Sequence, residues 1–354
     1  MWRVEDALWA AARVELGDRV LKQRPLVPAI EWLSAQYTRE RDSIGEDKNV
    51  AADLAARAVF FTVADAAKIA VPVSEMRVAN ALPASSPVRV LDVGAGCGAM
   101  TLGLLECLDR DMAVTAIDND AGALAILEHA IDQLDVDVAL ETRATDLRRY
   151  RPRGVFDLIC VGSVLNELDE ADAVALVELL LGQLADDGAL IAIEPALRET
   201  SRRLHRIRDH VLGRQLGHVF APCTRTAANC PALDDERDWC HEDRHWDLPK
   251  RLGQLTRATG LRQQRLKFSY LVIRRQPGTT AGSRSALRVV SKLKKTKGAS
   301  ELWACDDAGR RKLRLQKRSR TDANRTFDRA KRGELLLVDS DELNEVSRAD
   351  PTDG

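Results

Sequence analysis

The feature that most constrains this chain is the run Val90-Leu-Asp-Val-Gly-Ala-Gly-Cys-Gly-Ala-Met-Thr101. An apolar stretch leads into three glycines at alternate positions, and a helix-forming stretch follows, so the run reads as strand, tight turn and helix start. Only glycine makes such a turn while letting the backbone come close to a ligand. No Lys-Ser/Thr pair follows the glycines, which excludes a phosphate-holding P-loop.

The same alternation continues along the chain. Strands are expected at Val88–Val93, Ala113–Ile117, Val138–Thr142, Phe156–Val161 and Ala189–Ile193, with helices near 99–108, 120–134, 170–184 and 197–212. Leu204, Ile207 and Val211 mark the inner face of the last of these helices. The pattern is that of an α/β, Rossmann-like doubly wound fold with an open parallel sheet. An insert at 215–246, rich in Cys, His, Trp and Pro, breaks the rhythm; a helix near Pro249–Thr259 and an apolar stretch Phe268–Ile273 resume it and complete the sheet.

Residues 1–84 read as an N-terminal helical region, with Leu54, Ala58, Phe61 and Ala64 at near-helical spacing and Pro83 and Pro87 closing it. The main domain is expected at 85–276, and a Gly/Thr/Ser linker follows at 277–283. A small basic module at 284–338 has candidate strands at Val289–Leu293, Glu301–Ala304 and Leu313–Leu315. The acidic tail, 339–354, is expected to be disordered.

Charge separates these parts. The 354-residue chain has a formal net charge of −1, yet Arg284–Arg332 holds 17 Lys and Arg against 5 Asp and Glu, leaving that segment at +12 and the remainder at −13. Such a block neutralises phosphates, so a nucleic-acid partner is expected there, which the family resemblance below makes RNA rather than DNA; a solvated basic tail is the plainer alternative. No stretch approaches 18 uninterrupted apolar residues, so no membrane span is expected. Glu5, Asp6 and Glu15 argue against a basic transit peptide, and a cytoplasmic protein is expected. In that reducing compartment the seven cysteines are not a disulfide framework.

The Asp92-x-Gly94-x-Gly96-x-Gly98 pattern resembles motif I of class I methyltransferases, which implies S-adenosylmethionine as the ligand. Asp118 ends the second strand, where an acid accepts both ribose hydroxyls, and Asp146 follows the third, where adenine is recognised in that family. Helix capping by Asp118 or Asp120, and turn initiation by Asp146, are the structural alternatives. Around the fourth strand, Ser163, Asn166, Glu167 and, further on, Glu194 are candidate pocket residues, each with a capping or surface role as its alternative. Asn166 and Glu167 are the candidates for catalysis. No Asn or Asp followed by two prolines marks amino-nitrogen methylation, and Cys160 falls inside a strand, buried rather than nucleophilic, so the catalytic base is unassigned.

Cys223, Cys230 and Cys240 fall within 18 residues of a chain otherwise poor in cysteine. Soft thiolates grouped in this way suit zinc or an iron–sulfur cluster, although the intervals are not the C-x2-C pairs of a zinc ribbon. Cys305 is the candidate fourth ligand, His241 competes with it, and four unliganded thiols remain the alternative. Cys97 and Cys107 read as small hydrophobes.

Taken together, the motif I turn, Gly162-Ser-Val-Leu-Asn-Glu-Leu168, Ile193-Glu-Pro-Ala196 with the Arg-rich helix after it, and the Ala-Pro-Cys223…Cys230-Pro…Trp239-Cys-His241 block resemble the methyltransferase-like proteins of the mitochondrial small ribosomal subunit and their bacterial relatives. The resemblance implies a ribosome assembly factor that contacts small-subunit ribosomal RNA, binds S-adenosylmethionine and holds a [4Fe-4S] cluster on Cys223, Cys230, Cys240 and Cys305. Three functions are open: an rRNA methyltransferase, a non-catalytic RNA-binding assembly factor on the same scaffold, and a small-molecule methyltransferase, for which the basic module has no evident use.

Overall fold

The computed structural model describes residues 1–38, 50–280, 286–339 and 348–351. Residues 39–49, 281–283 of the expected linker, the start of the basic module at 284 and most of the acidic tail lie outside the described residues.

The chain divides into two compact units that interleave along the sequence. The first comprises Met1–Val71, Ala84–Val164 and Arg244–Leu266; the second comprises Pro72–Pro83, Leu165–Asp243 and Lys267–Gly354. The consecutive boundaries expected from composition, at 84, 276 and 284, therefore do not coincide with the units. Composition reports local chemistry, whereas compactness reports contacts between distant segments.

In the N-terminal region, helices α1 (Trp2–Leu16) and α2 (Gln23–Thr38) precede a continuous helical run: α3 (Val50–Ala56), a π-helical turn (Arg57–Thr62), α4 (Val63–Ala66), a 3-10 turn (Ala67–Ile69) and α5 (Ala70–Val78). Four parallel strands follow in the first unit, β1 (Val88–Val93), β2 (Met112–Asp118), β3 (Val138–Ala144) and β4 (Phe156–Gly162), in the order β3-β2-β1-β4. Between them run α6 (Ala99–Cys107) and α7 (Ala121–Asp132). This order, with the crossover helices, is the Rossmann-like arrangement expected from the sequence.

Val90, Leu91 and Val93 of β1 and Leu158, Ile159 and Val161 of β4 are buried. Each such side chain contributes roughly 1.5–3 kcal/mol through its removal from water. Helix α6 packs close to the N-terminal helices at Gly103, where an added Cβ would stand 2.3 Å from the Ala66 carbonyl oxygen. Asp157, buried at the start of β4, accepts from the Arg89 backbone N–H at 2.8 Å and from its guanidinium at 2.8 and 3.0 Å. Glu5, also buried, accepts the backbone N–H groups of Arg251 and Leu252 at 3.1 and 2.6 Å. It thereby places an anion on orphan donors at the start of a later helix.

The second unit contains α8 (Glu170–Leu181), β5 (Leu184–Pro195), α9 (Arg198–Gly213) and β6 (His218–Ala221). Next come β7 (Glu242–His245), α10 (Lys250–Thr259, within the first unit) and β8 (Arg265–Arg274). Leu204, Ile207 and Val211 of α9 are buried, in agreement with the sequence pattern. Strand β8 departs from the all-parallel expectation, because it runs antiparallel to both β5 and β6. An antiparallel strand on an otherwise parallel sheet is a common variant.

The C-terminal part folds as a six-stranded sheet in the order β10-β11-β9-β13-β14, with β12 paired to β11. Its strands are β9 (Ala286–Val289), β10 (Lys294–Lys295), β11 (Ala299–Asp306), β12 (Gly309–Gln316), β13 (Leu335–Asp339) and β14 (Arg348–Pro351). Leu287, Val289, Leu302, Leu313, Leu315, Phe327 and Leu336 form its core. Two expectations are corrected. The strand expected at Val289–Leu293 ends at Val289, because its pairing with β11 and β13 fixes it over earlier residues. Residues 348–351, expected to be part of a disordered tail, pair with Leu336–Asp339 through the backbone, which composition does not report.

Candidate functional site

The three glycines of the turn after β1 all have left-handed backbones, with φ of 66° at Gly94, 52° at Gly96 and 87° at Gly98. Their surroundings differ. An added Cβ would stand 2.2 Å from Val164 Cγ2 at Gly94 and 2.3 Å from Leu127 Cδ1 at Gly98, but at Gly96 it would meet nothing within 4 Å. Gly94 and Gly98 are thus held by the protein's own packing, whereas the space above Gly96 is open. That opening is where a ligand can approach the backbone.

Asp118, at the end of β2, fastens this turn. Its Oδ2 accepts the Gly96 N–H at 2.8 Å and its Oδ1 the Asp120 N–H at 2.9 Å. A carboxylate has about four acceptor positions, so these bonds leave capacity for two hydroxyls. Helix capping falls to Asp120, whose Oδ1 accepts the Ala123 N–H at 3.0 Å and whose Oδ2 pairs with Arg57. Arg57 comes from the π-helical turn, a distortion often found at functional sites, and no sequence signal marks it.

Asp92 is buried on β1; one of its oxygens accepts both the backbone N–H and the hydroxyl of Thr101, at 3.0 and 2.7 Å. It ties the strand to the first turn of α6. Asp146 is exposed after β3 and starts a turn, its Oδ1 accepting the Arg148 N–H at 2.9 Å. Ser163 follows β4 with a φ of 59°, the left-handed region that non-glycine residues seldom enter. Burial pushes the Cys97 thiol up to about 12 and the Cys160 thiol well above its ordinary value, so both stay protonated and neither is an activated nucleophile.

Asn166 and Glu167 belong to the second unit, in the turn before α8. Glu194, near the end of β5, is buried and accepts the Leu165 N–H at 2.9 Å, a bond that holds this turn in place.

The second unit also gathers Cys223, Cys230, Cys240 and Cys305 around one cavity, together with His241 and Arg208. Three of the four cysteine backbones are fixed by hydrogen bonds. The Cys230 N–H donates to Asp209 at 2.8 Å, the Cys240 N–H to His205 Nε2 at 3.0 Å, and the Cys240 and Cys305 carbonyls accept from Ser269 and Thr224 at 2.8 and 3.1 Å. Burial, then the neighbouring thiols, pushes Cys230 and Cys305 up to about 12 and Cys240 well above its ordinary value. Thiolates at Cys230, Cys240 and Cys305 therefore persist only beside a compensating cation. Among the described residues no group of three or more His, Cys, Asp or Glu stands ready to hold a metal ion; the thiols line a shared space rather than meeting at a point. His241 Nδ1 is buried without a hydrogen-bond partner, which keeps it as the competing ligand.

A family model described as mitochondrial small ribosomal subunit Rsm22 matches residues 55–336. The chain belongs to the Rsm22 family. No curated protein matches it in sequence. Among solved structures, this Rsm22-family chain is similar to the plantazolicin methyltransferase BpumL in complex with SAH, at 12% identity, a TM-score of 0.40, and coverage of 74% of this chain and 99% of that one. It is also similar to magnesium protoporphyrin IX methyltransferase from Synechocystis PCC 6803 with bound SAM, at 13% identity, a TM-score of 0.38, and coverage of 69% and 97%. N-methyltransferase NodS from Bradyrhizobium japonicum WM9 gives 14% identity, a TM-score of 0.38, and coverage of 70% and 99%. No helix among the described residues of the Rsm22-family chain is long and apolar enough to cross a membrane.

Proposed function

We propose that this Rsm22-family protein binds S-adenosylmethionine at the turn after β1 and acts on small-subunit ribosomal RNA during ribosome assembly. The observation that carries the proposal is the open space above Gly96, beside a carboxylate, Asp118, with acceptor capacity left over. In this reading the Gly94–Gly98 backbone, steadied by Asp92, holds the methionyl part of the cofactor, Asp118 its ribose and Asp146 its adenine, while Asn166 and Glu167 remain the candidates for catalysis. The bound cofactor supplies an electrophilic methyl group on its sulfonium. The protein's contribution is to orient that group and exclude water.

In the same reading Cys223, Cys230, Cys240 and Cys305, which line one cavity, would hold a [4Fe-4S] cluster, each thiolate taking its own iron; zinc with His241 is the alternative. Such a group orders the second unit and takes no part in methyl transfer. The compartment proposed is the cytoplasm, whereas the family description names a mitochondrial particle.

A second reading keeps the RNA partner without turnover. It is favoured by the engagement of Glu194 with the Leu165 N–H and by the burial that keeps the Cys160 thiol protonated. Calorimetry with S-adenosylmethionine on wild type and Gly96→Arg tests the binding claim, and transfer of labelled methyl to deproteinised small-subunit RNA separates the two readings. Undiminished binding by Gly96→Arg would overturn the cofactor site.

A further inference from the structure

The hairpin of β11 and β12 has two faces of opposite character. Leu302 and Ala304 point into the core of the module, opposite Leu313 and Arg311 in register. On the other face the antiparallel register sets Glu301 opposite Arg314, Trp303 opposite Lys312 and Cys305 opposite Arg310. Strand β10 adds Lys294 beside Glu301.

Trp303 is the unusual member of this face. Its side chain is 41% exposed, although a large aromatic side chain gains most from burial. The Arg310 guanidinium lies over the ring, 5.0 Å from its centroid, and is itself paired with Asp238, so the indole is held in orientation from one side. The surrounding charge is unbalanced. Lys312 Nζ and Arg314 Nε lie 2.7 and 3.5 Å from the Glu301 carboxylate, and Lys294 is its cross-strand neighbour, so three cations share one acid.

A flat, exposed, pre-oriented ring beside surplus positive charge matches the two needs of unpaired RNA, a stacking platform for a base and cations for the phosphates on either side of it. A duplex does not fit in the same way, because its bases are already stacked on each other. We propose that Trp303 stacks on an unpaired base of RNA while Lys294, Lys312 and Arg314 hold the flanking phosphates. This rests on the ribosomal-RNA reading above and narrows it to single-stranded segments.

The test uses the full chain with a short unstructured RNA oligonucleotide, a blunt RNA duplex of the same length and deproteinised small-subunit RNA. Trp303→Ala should weaken oligonucleotide binding by on the order of tenfold, while Trp303→Phe keeps most of it, since loss of one base–aromatic stack has an effect of that size. Lys312→Gln with Arg314→Gln should reduce the salt dependence of binding by a slope of about 0.7 for each phosphate no longer neutralised. Glu301→Gln, which removes the acid, should tighten binding. All four positions lie on the module's surface face, and unchanged thermal melts verify that the variants are folded. Equal binding by wild type and Trp303→Ala, a preference for the duplex, or equal competition by an acidic peptide would overturn the inference while leaving the RNA partner in place. Failure of the wild type to bind any of the three RNAs would overturn the ribosomal-RNA reading itself.

Discussion

Thr101 donates both its backbone N–H and its hydroxyl to a single oxygen of Asp92, and the other oxygen of that carboxylate is buried without a partner. Burial pushes the Asp92 carboxyl up to about 6, against the opposing pull of the Thr101 bonds. The unfolded value is about 3.9, so between these two pH values the folded chain binds the extra proton. The stability that this proton provides is fully present below about pH 4 and is lost as the pH rises through about 6. Wild type should therefore lose stability relative to Asp92→Asn between those limits, read from urea midpoints at each pH. Parallel curves for the two proteins would refute the assignment.

The glycines of the turn should separate by stability. At Gly98 an added methyl meets Leu127 in a left-handed backbone, whereas at Gly96 only the backbone conformation is strained. Gly96→Ala should cost about 1–2 kcal/mol. Gly98→Ala should cost more, by roughly a further 1–3 kcal/mol for overpacking. Chemical denaturation of both variants measures the order, and a reversed order would count against the packing described.

Within the second unit Arg288 is buried and makes a two-pronged pair with Glu75, at 2.7 and 2.9 Å, and also donates to the Pro222 carbonyl at 2.7 Å. Arg288→Met leaves the half-buried Glu75 carboxylate without its cation and should cost roughly 3 kcal/mol. Adding Glu75→Gln should recover part of that loss. A single variant as stable as wild type would mean that the pair is not formed in solution.

The four-cysteine cavity makes a compositional prediction. Anaerobically purified protein should contain iron and sulfide and show broad visible absorbance, and Cys230→Ser or Cys305→Ser should lose both. Zinc without colour would replace the cluster by the zinc alternative. Metal-free protein of unchanged stability would remove the metal site altogether.

The legible parts of this fold are those written in local sequence. The β1 turn and α6 are readable because three glycines, an apolar strand and a helix follow one another within a dozen residues, and α9 because Leu204, Ile207 and Val211 recur at helical spacing. What stays hidden depends on residues far apart in the chain. Arg57 reaches Asp120, Glu5 caps a helix that begins at Lys250, and Glu75 pairs with Arg288, none of which has a signature in its own neighbourhood. Strand β14 arises from backbone pairing in a segment whose side chains argue for none. The position of Asp118 at a strand end makes it a candidate ligand acid, but its bonds to the Gly96 and Asp120 amides appear only once the turn is built.

The contrast among the three glycines bears on how such a protein ages. In a lineage that stopped using the cofactor, selection for folding alone would still hold Gly94 against Val164 and Gly98 against Leu127, and it would release Gly96 to residues such as Asn that tolerate a left-handed backbone. Two of the three glycines would then outlive the chemistry. Of the three, only the middle glycine has no side-chain packing of its own to hold it in place.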